Sequence, residues 1–143
     1  MEKKLITNFS SERTFDIYDA DASYHFLLVR SSGGMHDVNI DLIFGGVLYI
    51  ELPSLLFGVK VTKPCDEKSV ELEKRYTTYQ SANYEGEYVY SIESGSTRFN
   101  VVASALWIHV NLLPTSSLIP MCEDSNEKED YYAKYLKEEY TLG

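Results

Sequence analysis

The most constraining feature of this 143-residue chain is the dipeptide Gly95-Ser96, which specifies a turn and a strand register together. Glycine at the first position of a two-residue loop takes up the positive φ that a type II′ hairpin needs. With Ser94 opposite Thr97, the flanking runs pair Glu93 with Arg98, Ile92 with Phe99, Ser91 with Asn100 and Tyr90 with Val101. Opposite charges meet, apolar meets apolar, and polar meets polar. A one-residue slip would turn every side chain to the wrong face. The Glu93–Arg98 pair contributes only about 0.2–1 kcal/mol, but it disfavours other registers. Strands are therefore expected over 87–94 and 97–111. Beyond Val101 the second is apolar on both faces, with Val102, Leu106, Ile108, Val110 and Leu112 on one side and Ala103, Ala105 and Trp107 on the other. That pattern suits a central or covered strand.

Other segments are read from the same alternation. Residues 24–31 are aromatic and apolar throughout, as in a strand buried on both faces, and Ser31-Ser32-Gly33-Gly34 marks a loop. Residues 37–43 alternate, with Val38, Ile40 and Leu42 on one face and Asn39 and Asp41 on the other; residues 47–52 set Leu48, Ile50 and Leu52 against Tyr49 and Glu51. A three-residue loop, Phe44-Gly45-Gly46, aligns the two apolar sets, so a second hairpin is expected here. Pro53 ends it, and 59–61 forms a short strand. Residues 69–80 fit either a strand or a helix (Leu72, Tyr76 and Tyr79 at i, i+4, i+7), and their Thr and Tyr content favours the strand. Residues 124–142 read as a helix capped by Ser125 or Asn126, with acids in its first turn and Tyr132, Tyr135, Leu136 and Tyr140 as its packed stripe. Residues 1–22 fit neither period. The expected fold is α+β and mainly β: one domain over 1–143, an antiparallel meander of about six strands closed as a barrel or curved as a single sheet, with one C-terminal helix.

Composition excludes several classes. The apolar share of 44% and aromatic share of 13% are those of a chain that buries a core, and twelve tyrosines suit half-buried sheet faces. The net charge is −9, and residues 121–143 carry seven acids against three bases. Direct nucleic-acid binding and docking on anionic membranes both need basic surface, so neither is expected. No secretory leader is read at the N-terminus, no apolar run is long enough to span a membrane, and the cytoplasm is the default location. Cys65 and Cys122 have no motif partner, and a disulfide between them is not indicated.

No motif carries chemistry. His25, His36 and His109 stand outside any ligand spacing with the cysteines, so no metal or cofactor is expected. His25 reads as a sheet histidine, and Trp107 as core. Asp16, Asp19 and Asp21 lack the glycine and terminal glutamate of a calcium loop and read as a solvated acidic cluster. The Ser31–Gly34 stretch lacks the lysine and helix of a phosphate loop.

The leading expectation is a non-catalytic protein-binding protein, in the manner of small inhibitors and toxin-neutralising immunity proteins, a comparison of composition alone. Its candidate contact surface is Asp16, Asp19, Asp21, Asp41, Tyr49 and Glu51, facing a basic protein partner. The rivals are a small-molecule barrel lined by Tyr24, Tyr90 and Trp107, a small hydrolase using His36 with Asp37 or another carboxylate, and a homo-oligomer subunit.

Overall fold

The computed structural model describes residues 3–21, 25–31, 38–76, 87–113 and 125–143. In chain order the elements are β1 (Lys3–Ile6), β2 (Asn8–Asp21), β3 (Phe26–Ser31), β4 (Asn39–Gly45), β5 (Tyr49–Ile50), β6 (Leu55–Thr62), α1 (Glu67–Tyr76), β7 (Tyr88–Ser94), β8 (Thr97–Ala103), β9 (Ala105–Asn111), α2 (Ser125–Asp130), a π-helical turn (Tyr131–Tyr135) and β10 (Leu136–Leu142). The strands form one open mixed sheet in the order β1-β10-β9-β4-β3-β2-β6-β7-β8-β5, in which, among the described residues, only β1 and β10 run parallel. The chain is thus mainly β, as expected, but with ten strands rather than about six, and the sheet does not close into a barrel.

The hairpin at Gly95-Ser96 forms in the expected register, from Ser94 opposite Thr97 to Tyr90 opposite Val101. Gly95 has φ +63° whereas Ser96 is not left-handed, the pattern of a type II′ turn.

The hairpin expected around Phe44-Gly45-Gly46 does not form. β4 lies between β3 and β9, and the segment expected to fold back on it joins β8 instead, with Tyr49 opposite Val102 and Ile50 opposite Val101. Gly46 is left-handed (φ +63°), but it packs against Ser104 and sends the chain across the sheet. Matching one pair of neighbouring runs missed two more distant strands that together pair both edges of β4.

The long strand read over 97–111 breaks at Ser104. Val101 and Ala103 face the main core before the break, Leu106 and Ile108 after it, so the alternation changes phase by one residue. The break also moves the chain between sheet neighbours, from β7 and β5 to β4 and β10.

The main core draws Leu27, Leu42, Phe44, Leu106 and Ile108 from the β10-β9-β4-β3 side and Val59, Val61, Tyr90, Ile92 and Val101 from the β6-β7-β8 side. Phe44 meets Tyr90 edge-on at 5.9 Å. Strands far apart in the sheet order share one core, so the sheet curls over on itself. Each such aliphatic or aromatic side chain contributes roughly 1.5–3 kcal/mol by burial.

Two elements expected in one state adopt another. Residues 67–76 are helix rather than strand, while 77–80 lie outside the described residues. Asp66 caps this helix, accepting the Ser69 backbone N–H at 2.9 Å and its hydroxyl at 2.7 Å, and Arg98 holds Asp66 from the sheet. Leu72 then packs on Val89 and Val102, with Tyr49 and Tyr76 alongside. The cap, Asp-x-x-Ser, stands in the sequence at the start of this helix, and Thr77, Thr78 and Tyr79, which favoured a strand, lie outside the described residues.

The C-terminal helix is six residues long, and 136–142 is a strand. It pairs with β9 from Leu136 opposite Asn111 to Thr141 opposite Trp107. The edge of β9 needs a partner for its backbone groups, and this segment supplies one. The unreadable N-terminus is β1 and β2, a long strand interrupted at Thr7 whose two parts pair at different places.

Candidate functional site

Among the described residues, two places gather side chains suited to a function: an open cleft beside β5 and a buried polar row across β10, β9, β4 and β3.

The cleft is lined by Ala20 from the end of β2, His25 and Phe26 from the turn into β3, and Val47 to Ile50, with a volume of about 310 Å³. That is at the bottom of the range for ligand pockets, roughly 300–1,000 Å³. β5 is the last strand of the sheet and only two residues long, and Leu48 and Ile50 remain 42% and 41% exposed. His25 has φ +55°, a strained conformation for a residue with a Cβ, and its carbonyl accepts the Val47 N–H at 2.8 Å. That bond ties the two walls together.

Tyr49 is turned to the other face, where it stacks on Tyr76 at 4.9 Å, and its phenol donates to Glu51 at 3.1 Å. This bond to a carboxylate holds the phenol proton and raises the Tyr49 pKa. Asn100 donates to the same carboxylate at 3.3 Å.

The expected contact residues divide accordingly. Tyr49 and Glu51 come together on the α1 side of β5, away from the cleft, and Asp19 and Asp21 are the chain neighbours of Ala20 on β2. Asp16 is exposed, but it lies opposite Leu55 and Arg30, about 13 Å along the strand from Ala20. Asp41 is not on an outward face at all: it is fully buried. The expectation placed it with Asn39 on a solvated side because polar residues alternate with apolar ones there. That side of β4 is instead filled by polar partners from neighbouring strands.

Those partners form the second place. The ladder aligns Lys3, Glu139, His109, Asp41, Arg30 and Asp16 in one row across six strands. Arg30 grips Asp41 with two bonds, Nε to Oδ1 at 2.6 Å and a terminal nitrogen to Oδ2 at 2.9 Å, both side chains being fully buried. Asn111 donates to Asp41 Oδ2 at 2.8 Å, and Asn39 donates to Asn111 at 3.0 Å and to the Leu113 carbonyl at 2.7 Å. His109 stands between Glu139, 2.8 Å from Nε2, and the Tyr131 hydroxyl, 2.8 Å from Nδ1.

Desolvation lowers the His109 pKa, against the opposing pull of Glu139 and Asp41. The imidazole is therefore neutral near pH 7, with Nε2–H donating to Glu139 and Nδ1 accepting from Tyr131. Burial likewise raises the Tyr131 phenol well above its ordinary value, and the ring is 1% exposed. An acid, an imidazole and a hydroxyl in sequence can relay a proton. A nucleophile, however, must reach substrate, and this phenol is both protonated and covered. The row ties β10, β9, β4 and β3 together through bonds between their buried polar side chains.

Sequence reasoning missed this row. Its signal was faint: Arg30, Asn39, Asp41, His109 and Asn111 lie inside runs otherwise rich in apolar residues, and a buried polar group needs a partner. Of the residues proposed for rival functions, Tyr90 is packed in the main core while Trp107, one position from core-facing Ile108, lies on the opposite face. The two cannot line one cavity. Tyr24, His36 and Asp37 lie outside the described residues. Cys65 is exposed, and Cys122 also lies outside them. Among the described residues no cluster of three or more His, Cys, Asp or Glu could hold a metal ion, and no helix is long and apolar enough to cross a membrane.

Fold and site together define a mainly β protein with an apolar cleft at one sheet edge and a buried charge row. No protein-family model, curated protein or solved structure matches this chain.

Proposed function

We propose that the protein binds another protein at the β5 edge without catalysing a reaction, in the manner of a small inhibitor or immunity protein. The observation that carries this reading is the pair of exposed side chains, Leu48 and Ile50, beside an open apolar cleft at the terminal strand. A short terminal strand next to an apolar cleft accepts an extended segment from a partner, with backbone bonds giving affinity and the cleft taking one side chain. The net charge of −9 favours a basic partner and speeds its association. The strained His25 supports a prepared site, since left-handed non-glycine residues gather where function holds them in place.

The test is affinity capture from source lysate at low and moderate salt, using wild type and Ile50→Asp side by side. The reading expects a stoichiometric basic protein that wild type retains, that is released as salt rises, and that Ile50→Asp fails to retain. Equal retention of the same proteins by both forms would refute the β5 assignment.

A further inference from the structure

We infer that His109 is a proton-operated latch that fastens the Tyr131 turn to the face of β9. Tyr131 is held on the sheet by Asn111 at 3.3 Å and by His109 Nδ1 at 2.8 Å, and its ring stacks on the imidazole at 5.7 Å. With neutral imidazole every bond in the chain runs one way. Asn111 donates to the Tyr131 oxygen, Tyr131 donates to Nδ1, and Nε2–H donates to Glu139.

Protonation adds a hydrogen at Nδ1 and reverses that middle bond. The Tyr131 oxygen then receives donors from both His109 and Asn111, and its own hydrogen points at neither. A buried hydroxyl deprived of its acceptor is destabilised. The groups facing the imidazole decide how strongly the latch resists. Glu139 on β10 and Asp41 on β4 favour the charged ring, whereas Lys3 on β1 disfavours it; Arg30 on β3 neutralises Asp41 through its paired bonds. Tyr132 closes the remaining side, its ring edge-on to His109 at 6.2 Å and its hydroxyl bonded to Glu139 at 3.1 Å.

Opening moves a defined piece. Tyr131 packs with Leu113, Leu136 and Tyr135 in a small cluster separate from the main core. The turn can therefore lift while the Gly95 hairpin and its core stay folded. Lifting it uncovers His109, Asn111 and Asp41, a polar face that is dry at neutral pH.

The test is hydrogen–deuterium exchange of the intact protein at pH 7.5 and 5.5, corrected for intrinsic rates. Because the open form carries an imidazole of ordinary pKa, one pH unit below that value raises its population by up to about tenfold. Peptides covering 125–135 should exchange faster by a factor up to that limit, and peptides covering 88–103 should not change. His109→Gln, whose amide can donate to Glu139 and accept from Tyr131, should abolish the difference. Should that variant fail to fold, the nitrogen chemical shifts of wild-type His109 decide the matter: protonation must coincide with the loss of protection at 125–135. The inference fails if 125–135 exchanges equally at both pH values, if the whole chain loosens together, or if His109→Gln keeps the wild-type pH response.

Discussion

Replacing Asp41 by asparagine tests the claim that the buried row ties its strands together. The substitution keeps the shape of the side chain and removes its charge. Arg30 then keeps its positive charge in a site with no exposure, while the carboxylate that accepted from two of its nitrogens is gone. Breaking one partner of such a pair costs about 3–5 kcal/mol, because the remaining buried charge loses its opposite charge. Asn111 Nδ2 also donates to Oδ2, and loss of that charged acceptor turns a strong bond into an ordinary one. A loss of about 4 kcal/mol is therefore expected. In a chain of this size that corresponds to a fall in Tm of roughly 10–15 °C. Urea denaturation followed by far-ultraviolet circular dichroism measures it directly, with Tm as the check.

The companion variant is the double change Arg30→Met with Asp41→Leu. Removing both charges removes the desolvation cost with the attraction, so this protein should lie within about 2 kcal/mol of wild type. A single variant losing under about 1 kcal/mol would mean that water or other groups already solvate Arg30, and the argument from a dry row would be wrong.

The remaining expectations concern separate parts of the chain. Thr141 Oγ1 is buried and has no hydrogen-bond partner among the described residues, so Thr141→Val should leave stability unchanged or raise it by up to about 1 kcal/mol in the same urea assay. Asp66→Ala removes the cap of α1 and should cost about 1 kcal/mol, with the loss of protection on exchange confined to 67–76. Because the His109 pKa is lowered on folding, the unfolded chain binds more protons below its ordinary value near 6.5. This residue's contribution to stability should therefore be complete above that pH and fall as the solution is acidified. A pH series of urea midpoints, compared with His109→Gln, isolates it.

How much was legible depended on the range over which each choice was made. The Gly95 hairpin was readable because two residues set the turn and the next eight confirmed the register, all within one short stretch. Acidity and the predominance of β structure were likewise properties of the sequence. The α1 cap is written locally as Asp66 and Ser69, a signal that the expectation of a strand, drawn from Thr and Tyr propensity, did not use. Tyr49 and Glu51, two residues apart, came together much as alternation implied.

The rest was settled by pairings that no local pattern records. β4 runs between strands that precede it by about ten residues and follow it by more than sixty, so its apparent hairpin partner lost to two better ones. Residues 136–142 carry a helical stripe, yet the unpaired edge of β9 draws them into the sheet. Asp41 shows the difference most sharply. Alternation correctly set it on the opposite face from Leu42, but whether that face meets water depends on Arg30, His109 and Asn111 from other strands. The sequence by itself determined which side chains share a face of each strand, because the backbone pleat repeats every two residues. Only the tertiary structure decided which faces are dry, since burial is a property of what lies across the sheet and not of the strand itself.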